Sequence, residues 1–325
     1  MAQIRIRHHV IFRYLALMSD QAPFSRRSFV STCTATVAAV AASMNERFAL
    51  AEEAAAKAGV AGKIKHSACK WCYKDISLDD LCTAGKEFGL EAIDLLDPAD
   101  FPTLKKHGMH CPMVSFPSAE VEIGGKKKKI GSIPHGFNRT EHHDTLFALY
   151  EKLIAESAAV GFTNVICFSG NRDGMDDELG LENCAVGLKR LMPLCEKHGV
   201  TLTMELLNSK VNHKDYMCDL SSWGAALCDK VGSEHFKLLY DIYHMQIMEG
   251  DIIATIQARH QYFSHYHTGG VPGRAEIDET QELYYPAIMK AIVETGYTGW
   301  VAQEFIPKRE DKIASLKQAV EICTV

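Results

Sequence analysis

Beyond its first fifty residues this 325-residue chain has no apolar run near the roughly 18 residues of a membrane-spanning helix, so no span is expected there. It has no surplus of positive charge either. Lys and Arg number 35 against 41 Asp and Glu, a net −6, whereas a nucleic-acid partner would ask for a basic face. No glycine-rich phosphate loop follows the first strand-like run, where the chain reads "SACKWCYKD", and this argues against a doubly wound nucleotide-binding sheet. No linker interrupts the pattern from residue 64 onward. What is present is ordinary for a globular protein: 47% hydrophobic and 23% charged residues. The length suits one large α/β barrel or two smaller domains.

The first fifty residues differ. "SRRSFVSTCTATVAAVAAS" sets Arg26 and Arg27 before a weakly apolar stretch, and Ala49 and Ala51 place small residues at −3 and −1 of a cleavage site. This is the layout of an export signal, and Ser25 to Val30 resembles its twin-arginine form. The other reading is an amphipathic N-terminal helix. Met18 is a plausible true start, which would make residues 1–17 a gene-model artefact. Residues 1–51 carry six Arg against Asp20 and Glu46, so the expected mature chain, 52–325, carries −10. The expected location is the periplasm or cell envelope, with the cytoplasm as the alternative.

Eleven cysteines would suggest disulfides in a small secreted chain, but this one can build a core. Cys69 and Cys72 have redox spacing, yet they lie in a strand-like run and not at a helix N-terminus that would activate the thiol. Buried thiols are expected instead.

From residue 64, strand-like runs recur at 64–72, 90–96, 109–116, 163–169, 200–206, 236–242, 262–268 and 299–305. Helix-like stretches lie between them, several closing on glycine: Gly89, Gly108, Gly161, Gly199 and Gly296. Strand then helix, eight times, predicts a single (β/α)8 barrel over 52–325. Residues 117–140 are too long for an ordinary connection. Their "EVEIGGKKKKI" reads as a hairpin turning at Gly124-Gly125, in the position of a lid. Lys126 to Lys129 suit a solvated turn better than a phosphate site.

In such a barrel the site lies at the C-terminal strand ends. Four successive strands end in Glu205, Asp241, His265 with His267, and Glu304. The separations 205→241→267→304 are 36, 26 and 37 residues, each near one repeat, so the groups sit at similar heights. Three carboxylates converging in a core would repel unless a cation neutralised them. With one imidazole they make an oxygen-rich set suited to Mn²⁺, Mg²⁺ or Co²⁺. Each position alone is more readily a cap, a surface charge or a satisfied core histidine; the four together favour ligation of one ion. His265 is expected to lie deeper, supporting His267. The earlier strands end in Cys72, Leu95, Ser115 and Ser169, which supply no ligands.

"MELLNSK" (204–210), "LLYDIYHMQ" (238–246), "HYHTGGVPGR" (265–274) and "AQEFIP" (302–307) resemble, as a set, the xylose-isomerase-like sugar isomerase/epimerase superfamily and its hydroxypyruvate isomerase family, over residues 64–325. The resemblance implies a divalent metal on Glu205, Asp241, His267 and Glu304. It implies His244 and Arg274 as substrate-binding residues, joined by Asn208 in the first motif. Hydroxypyruvate isomerases often carry Gln where this chain has His267, and ketose 3-epimerases carry His. The implied chemistry is isomerisation or epimerisation of a small sugar or keto acid through a cis-enediolate, with Glu205 and Glu304 moving the proton. Other readings are a non-catalytic carbohydrate-binding barrel and, against the acidic charge, an endonuclease IV-like metal phosphodiesterase. The partner is a small molecule, and a homo-oligomer is compatible with the sequence.

Overall fold

The computed structural model describes residues 64–325; the expected export segment, with Arg26 and Arg27, lies outside the described residues. Seven parallel strands form the central sheet: β1 (Lys65–Cys69), β2 (Ala92–Asp94), β5 (Asn164–Cys167), β6 (Thr201–Glu205), β7 (Phe236–Asp241), β8 (Phe263–Thr268) and β9 (Trp300–Gln303). Their order is β2-β1-β9-β8-β7-β6-β5. The two remaining strands, β3 (Ala119–Ile123) and β4 (Lys126–Ile130), form a separate antiparallel hairpin.

The expected third barrel strand, 109–116, is not a strand. Its segment lies between β2 and β5 and joins them by isolated bridges, Ala92 to His110, Leu96 to Val114 and Val114 to Val165. Ile93 N donates to His110 O (3.0 Å), Leu95 N to Met113 O (2.7 Å) and Val114 N to Asn164 O (2.9 Å), so backbone bonds link the two ends of the sheet. Pro112 has no N–H to give and interrupts a regular ladder here. The fold is thus TIM-barrel-like, with seven regular strands and a bridging segment in the eighth place. The first strand also stops earlier than its apolar run. Cys69 ends β1, and Lys70–Tyr73 form a 3-10 turn.

Helices cover the outside of the sheet, among them Leu78–Glu87, His143–Ala159, Asp177–His198, Ser221–Val231, Tyr285–Glu294 and Lys312–Cys323. Gly108, Gly199 and Gly232 end three helices in the left-handed region, where a side chain would strain the backbone. The ten described cysteines are all free and buried. Burial pushes the Cys69 and Cys72 thiols well up, away from the reactive thiolate. Among the described residues no helix is long and apolar enough to cross a membrane.

The hairpin turns at Gly124-Gly125, both at positive φ (59° and 74°), as the sequence predicts. Its register sets Glu120 opposite Lys129 and Glu122 opposite Lys127. Opposite charges facing each other across strands suit a solvated turn.

The loops after β8 and β9 are tied together by one buried carboxylate. Glu276 Oε1 accepts from Lys308 N (2.8 Å), Arg309 N (3.0 Å) and Ser315 Oγ (3.1 Å). Burial alone would raise this carboxyl, but the backbone donors outweigh it and hold it below its ordinary value. A carboxyl depressed on folding adds stability above its unfolded pKa of about 4.3, and this is lost as pH falls through the lower folded value. Glu276→Gln is therefore expected to cost about 1.5–3 kcal/mol at pH 7. The deficit against the parent should shrink below pH 4, as read by urea unfolding at both values. A deficit independent of pH would show that the charge contributes nothing.

Candidate functional site

β7 ends in a carboxylate because that carboxylate has two tasks. Asp241 caps the short helix Ile242–Met248: its Oδ1 accepts from His244 N at 3.0 Å. Its Oδ2 accepts from Arg274 Nη2 at 2.9 Å. The parallel register places Asp241 directly beside His267, and His267 beside Ala302, two residues before Glu304. His267 Nδ1 lies 2.7 Å from Glu304 Oε2 and 3.8 Å from Glu205 Oε1.

The four expected ligand residues thus meet, each at most 5% exposed. One donor atom from each of Glu205, Asp241, His267 and Glu304 lies within 4.8 Å of the others. Donors that share one divalent ion at about 2.0–2.4 Å can stand no farther apart than about twice that bond length. Three carboxylates and one imidazole, mostly cut off from water, therefore fit a single divalent cation in both chemistry and spacing.

Arg274 supplies the local positive charge. Its Nη2 donates to both Asp241 Oδ2 and Glu304 Oε2 (2.5 Å), and its Nε donates to Glu304 O at 3.2 Å. The guanidinium lies against the rings of Trp71 and Tyr243, 5.3 and 5.2 Å from their centroids. Trp71 Nε1 also donates to Glu304 Oε1 at 2.6 Å.

The two glutamates end in opposite electrostatic states. Burial would raise Glu304, but Arg274, His267 and Trp71 hold it well below its ordinary value. Glu205 has no such partners. Burial and the neighbouring Glu304 charge push it well up. Among the described residues its carboxylate accepts no hydrogen bond, standing 3.8 Å from His267 Nδ1, and it lines a cavity of about 310 Å³ at the strand ends. One carboxylate is held by three donors; the other has none.

His244 is fully buried, and its ring is oriented by Asn208. Nδ1 accepts from Asn208 N at 3.1 Å and lies 2.6 Å from Asn208 Nδ2, so the ring proton belongs on Nε2. That Nε2 has no hydrogen-bond partner and lies 3.7 Å from Asp241 Oδ2. Burial and Arg274 push the imidazole well down, keeping it neutral. Asn208, expected to touch substrate, sits behind His244. Its Oδ1 accepts from Val211 N and Asn212 N at 3.0 and 2.8 Å, and its Nδ2 donates to Asn212 Oδ1 at 2.8 Å.

His265 lies beneath the cluster, as expected, with Nε2 2.5 Å from Asp94 Oδ2. The same Asp94 oxygen is 3.5 Å from His267 Nε2. Burial would raise Asp94, but the two imidazoles overcome it and hold the carboxyl at about 2. Neither Asp94 nor Trp71 was expected here. β2 ends at Asp94 and not at Leu95, and the 3-10 turn after β1 brings Trp71 to the site. The signal available was a carboxylate in the apolar run "EAIDLL", the same sign that marks Asp241.

A family model described as "Xylose isomerase-like TIM barrel" matches residues 102–323. A human protein named "Putative hydroxypyruvate isomerase" is 25% identical over 251 residues, 73% of this chain and 87% of its own. Among solved structures, an "AP endonuclease, family 2" from Brucella melitensis superposes with a TM-score of 0.65 at 22% identity. It covers 78% of this chain and 96% of its own. D-psicose 3-epimerase with D-tagatose, from Clostridium cellulolyticum H10, gives a TM-score of 0.59 at 16% identity, over 79% and 90% of the two chains. At such identities the superpositions speak for the fold alone.

Proposed function

We propose that this chain, which belongs to the xylose isomerase-like TIM-barrel family, is a divalent-metal-dependent isomerase or epimerase of a small keto acid or ketose. The observation that carries the reading is the convergence of Glu205, Asp241, His267 and Glu304 within 4.8 Å at the strand ends. The 25% identity to a protein named for hydroxypyruvate isomerisation supports it.

A divalent ion on these four residues would supply Lewis acidity at the substrate carbonyl oxygen. The chain's own groups do the rest. Glu205, which makes no side-chain hydrogen bond and lines the cavity, takes the proton from the carbon α to the carbonyl. The C–H electron pair becomes the double bond of an enediolate. His244 Nε2–H, unpartnered in the protein, donates to a substrate oxygen and holds it in register. Return of the proton to the neighbouring carbon, with the hydroxyl proton passing to the former carbonyl oxygen, gives isomerisation; epimerisation would require Glu304 to take up a proton first and deliver it to the opposite face of the same carbon. Trp71 and Arg274 keep Glu304 in place throughout. A phosphodiesterase reading has only the likeness of fold behind it.

The test is proton exchange. Metal-loaded protein incubated in D₂O with keto acids and ketoses should place deuterium on the carbon α to the carbonyl, seen by NMR, and a chelator should abolish it. No exchange across the panel would sink the reading.

Export through the twin-arginine route is part of the proposal and rests on the sequence of residues 25–51. Changing Arg26 and Arg27 to Lys is expected to leave the precursor in the cytoplasm, while the parent is processed near residue 52. Cell fractionation and N-terminal sequencing read both outcomes, and unimpaired export of the double variant would count against this route.

A further inference from the structure

The cavity has two unlike halves, and the order of the strands explains why. The ligand residues come from β6 to β9, half of the ring. The other half supplies Leu95 after β2, Phe116 at the end of the bridging segment, and Ile166 and Phe168 on and after β5. Ile133 and Leu207 complete the apolar lining. Phe116 and Phe168 pack edge to face with centroids 5.0 Å apart, making a firm wall. Away from the cluster and its Trp71 and Arg274, the polar lining is Ser115 and His213. A chain carrying several hydroxyls would bury most of them against carbon.

The cavity has a single cationic side chain in its lining. Three carboxylates meet one guanidinium and would be brought to neutrality by one divalent ion. Arg274 already gives Nη2 to Asp241 and Glu304. Burial and Arg274 push the His213 imidazole down, away from its cationic form. Lys129 holds its ammonium over the Phe116 ring, 5.9 Å from the centroid, and is not among the lining residues. Arg274 is thus the one cationic side chain among the lining residues, and among the described residues its Nη1 has no hydrogen-bond acceptor.

The geometry points to an α-hydroxy carbonyl compound bearing an apolar alkyl or aryl substituent as the substrate class of this site. This refines the isomerase reading and rests on it. The cavity of about 310 Å³ is worth about ten waters, enough for the reacting carbons and a short chain or a ring. The head group engages the ligand cluster where Glu205, Glu304 and Arg274 line the cavity, and the substituent lies on Phe116, Phe168 and Ile166.

Three hydroxymethyl ketones that share the head and differ in the tail test it: hydroxypyruvate (carboxylate), erythrulose (hydroxylated) and 1-hydroxy-2-hexanone (alkyl). Two readouts apply: kcat/KM for deuterium exchange, and binding by saturation-transfer NMR with and without added Mn²⁺-free Mg²⁺. The hexanone is expected to lead by about 10-fold or more in both, and Ile166→Asn to narrow the lead. If hydroxypyruvate or erythrulose matches or exceeds it, the substrate inference falls while the isomerase reading stands. If none of the three exchanges, and no other keto acid or ketose does, the isomerase reading falls and takes this inference with it.

Discussion

Glu205→Gln is expected to slow α-proton exchange by about 10²–10⁴-fold, the usual contribution of a positioned general base. The same variant should retain its bound metal, because an amide oxygen can still reach the ion, and once stripped of metal it should unfold no earlier than the metal-free parent. Stability holds because the native carboxylate is unfavourable where it stands. Burial and the charge of Glu304 push its pKa up, so the folded state gains nothing from ionising it. Glu304→Gln should behave differently, since its carboxylate answers Trp71, His267 and Arg274 at 2.6, 2.7 and 2.5 Å. Removing that charge leaves a buried guanidinium poorly matched, so this variant should lose stability as well as activity. Exchange rates by NMR, metal content after gel filtration and urea midpoints separate the two. Equal behaviour of the pair would refute the division between a free and a pinned glutamate.

His244→Ala should keep the ion and lose turnover by about 10²-fold or more, while Asp241→Ala should lose both. His244 leaves its Nε2–H unpartnered, 3.7 Å from Asp241 Oδ2, whereas its Nδ1 is spent on Asn208. Nothing in that arrangement makes it a donor to a cation. Asp241 belongs to the converging set and also caps the helix that carries His244. Its loss therefore removes a ligand and loosens the neighbouring imidazole together. Metal content that falls as completely in His244→Ala as in Asp241→Ala would make His244 a ligand.

The sequence made Asp241 legible because a carboxylate ending an apolar strand has no place in a core without a partner. The near-regular spacing of Glu205, His267 and Glu304 was legible for the same reason: strand ends in a barrel share one height. Other features were hidden. β2 is three residues long, and apolar Leu95 and Leu96 continue its run, so Asp94 looked interior to a strand and not terminal. Trp71 enters because the chain leaves the strand geometry at Cys69, which no alternation in "SACKWC" announces. Asn208 lies in a motif that suggested substrate contact, yet its short amide is used up by the turn it opens at Val211 and Asn212. The segment 109–116 has the composition of a strand; the single Pro112 removes the donor that a continuous ladder requires.

That interrupted segment gives the barrel a seam. Elsewhere neighbouring strands pair through ladders of three or more residues, with one register shift between β7 and β8 at Leu238–Leu239, whereas β2 and β5 are held together through isolated bridges. Cooperative local opening begins where the fewest bonds must break at once, so the amides of Met113, Val114 and Ser115 are the ones to surrender their protons to solvent first among the barrel backbone. The seam also lies on the apolar side of the cavity, next to Ser115 and Phe116. Breathing there would widen the path for a carbon-rich molecule and leave the ladders that align Asp241 with His267 unstrained.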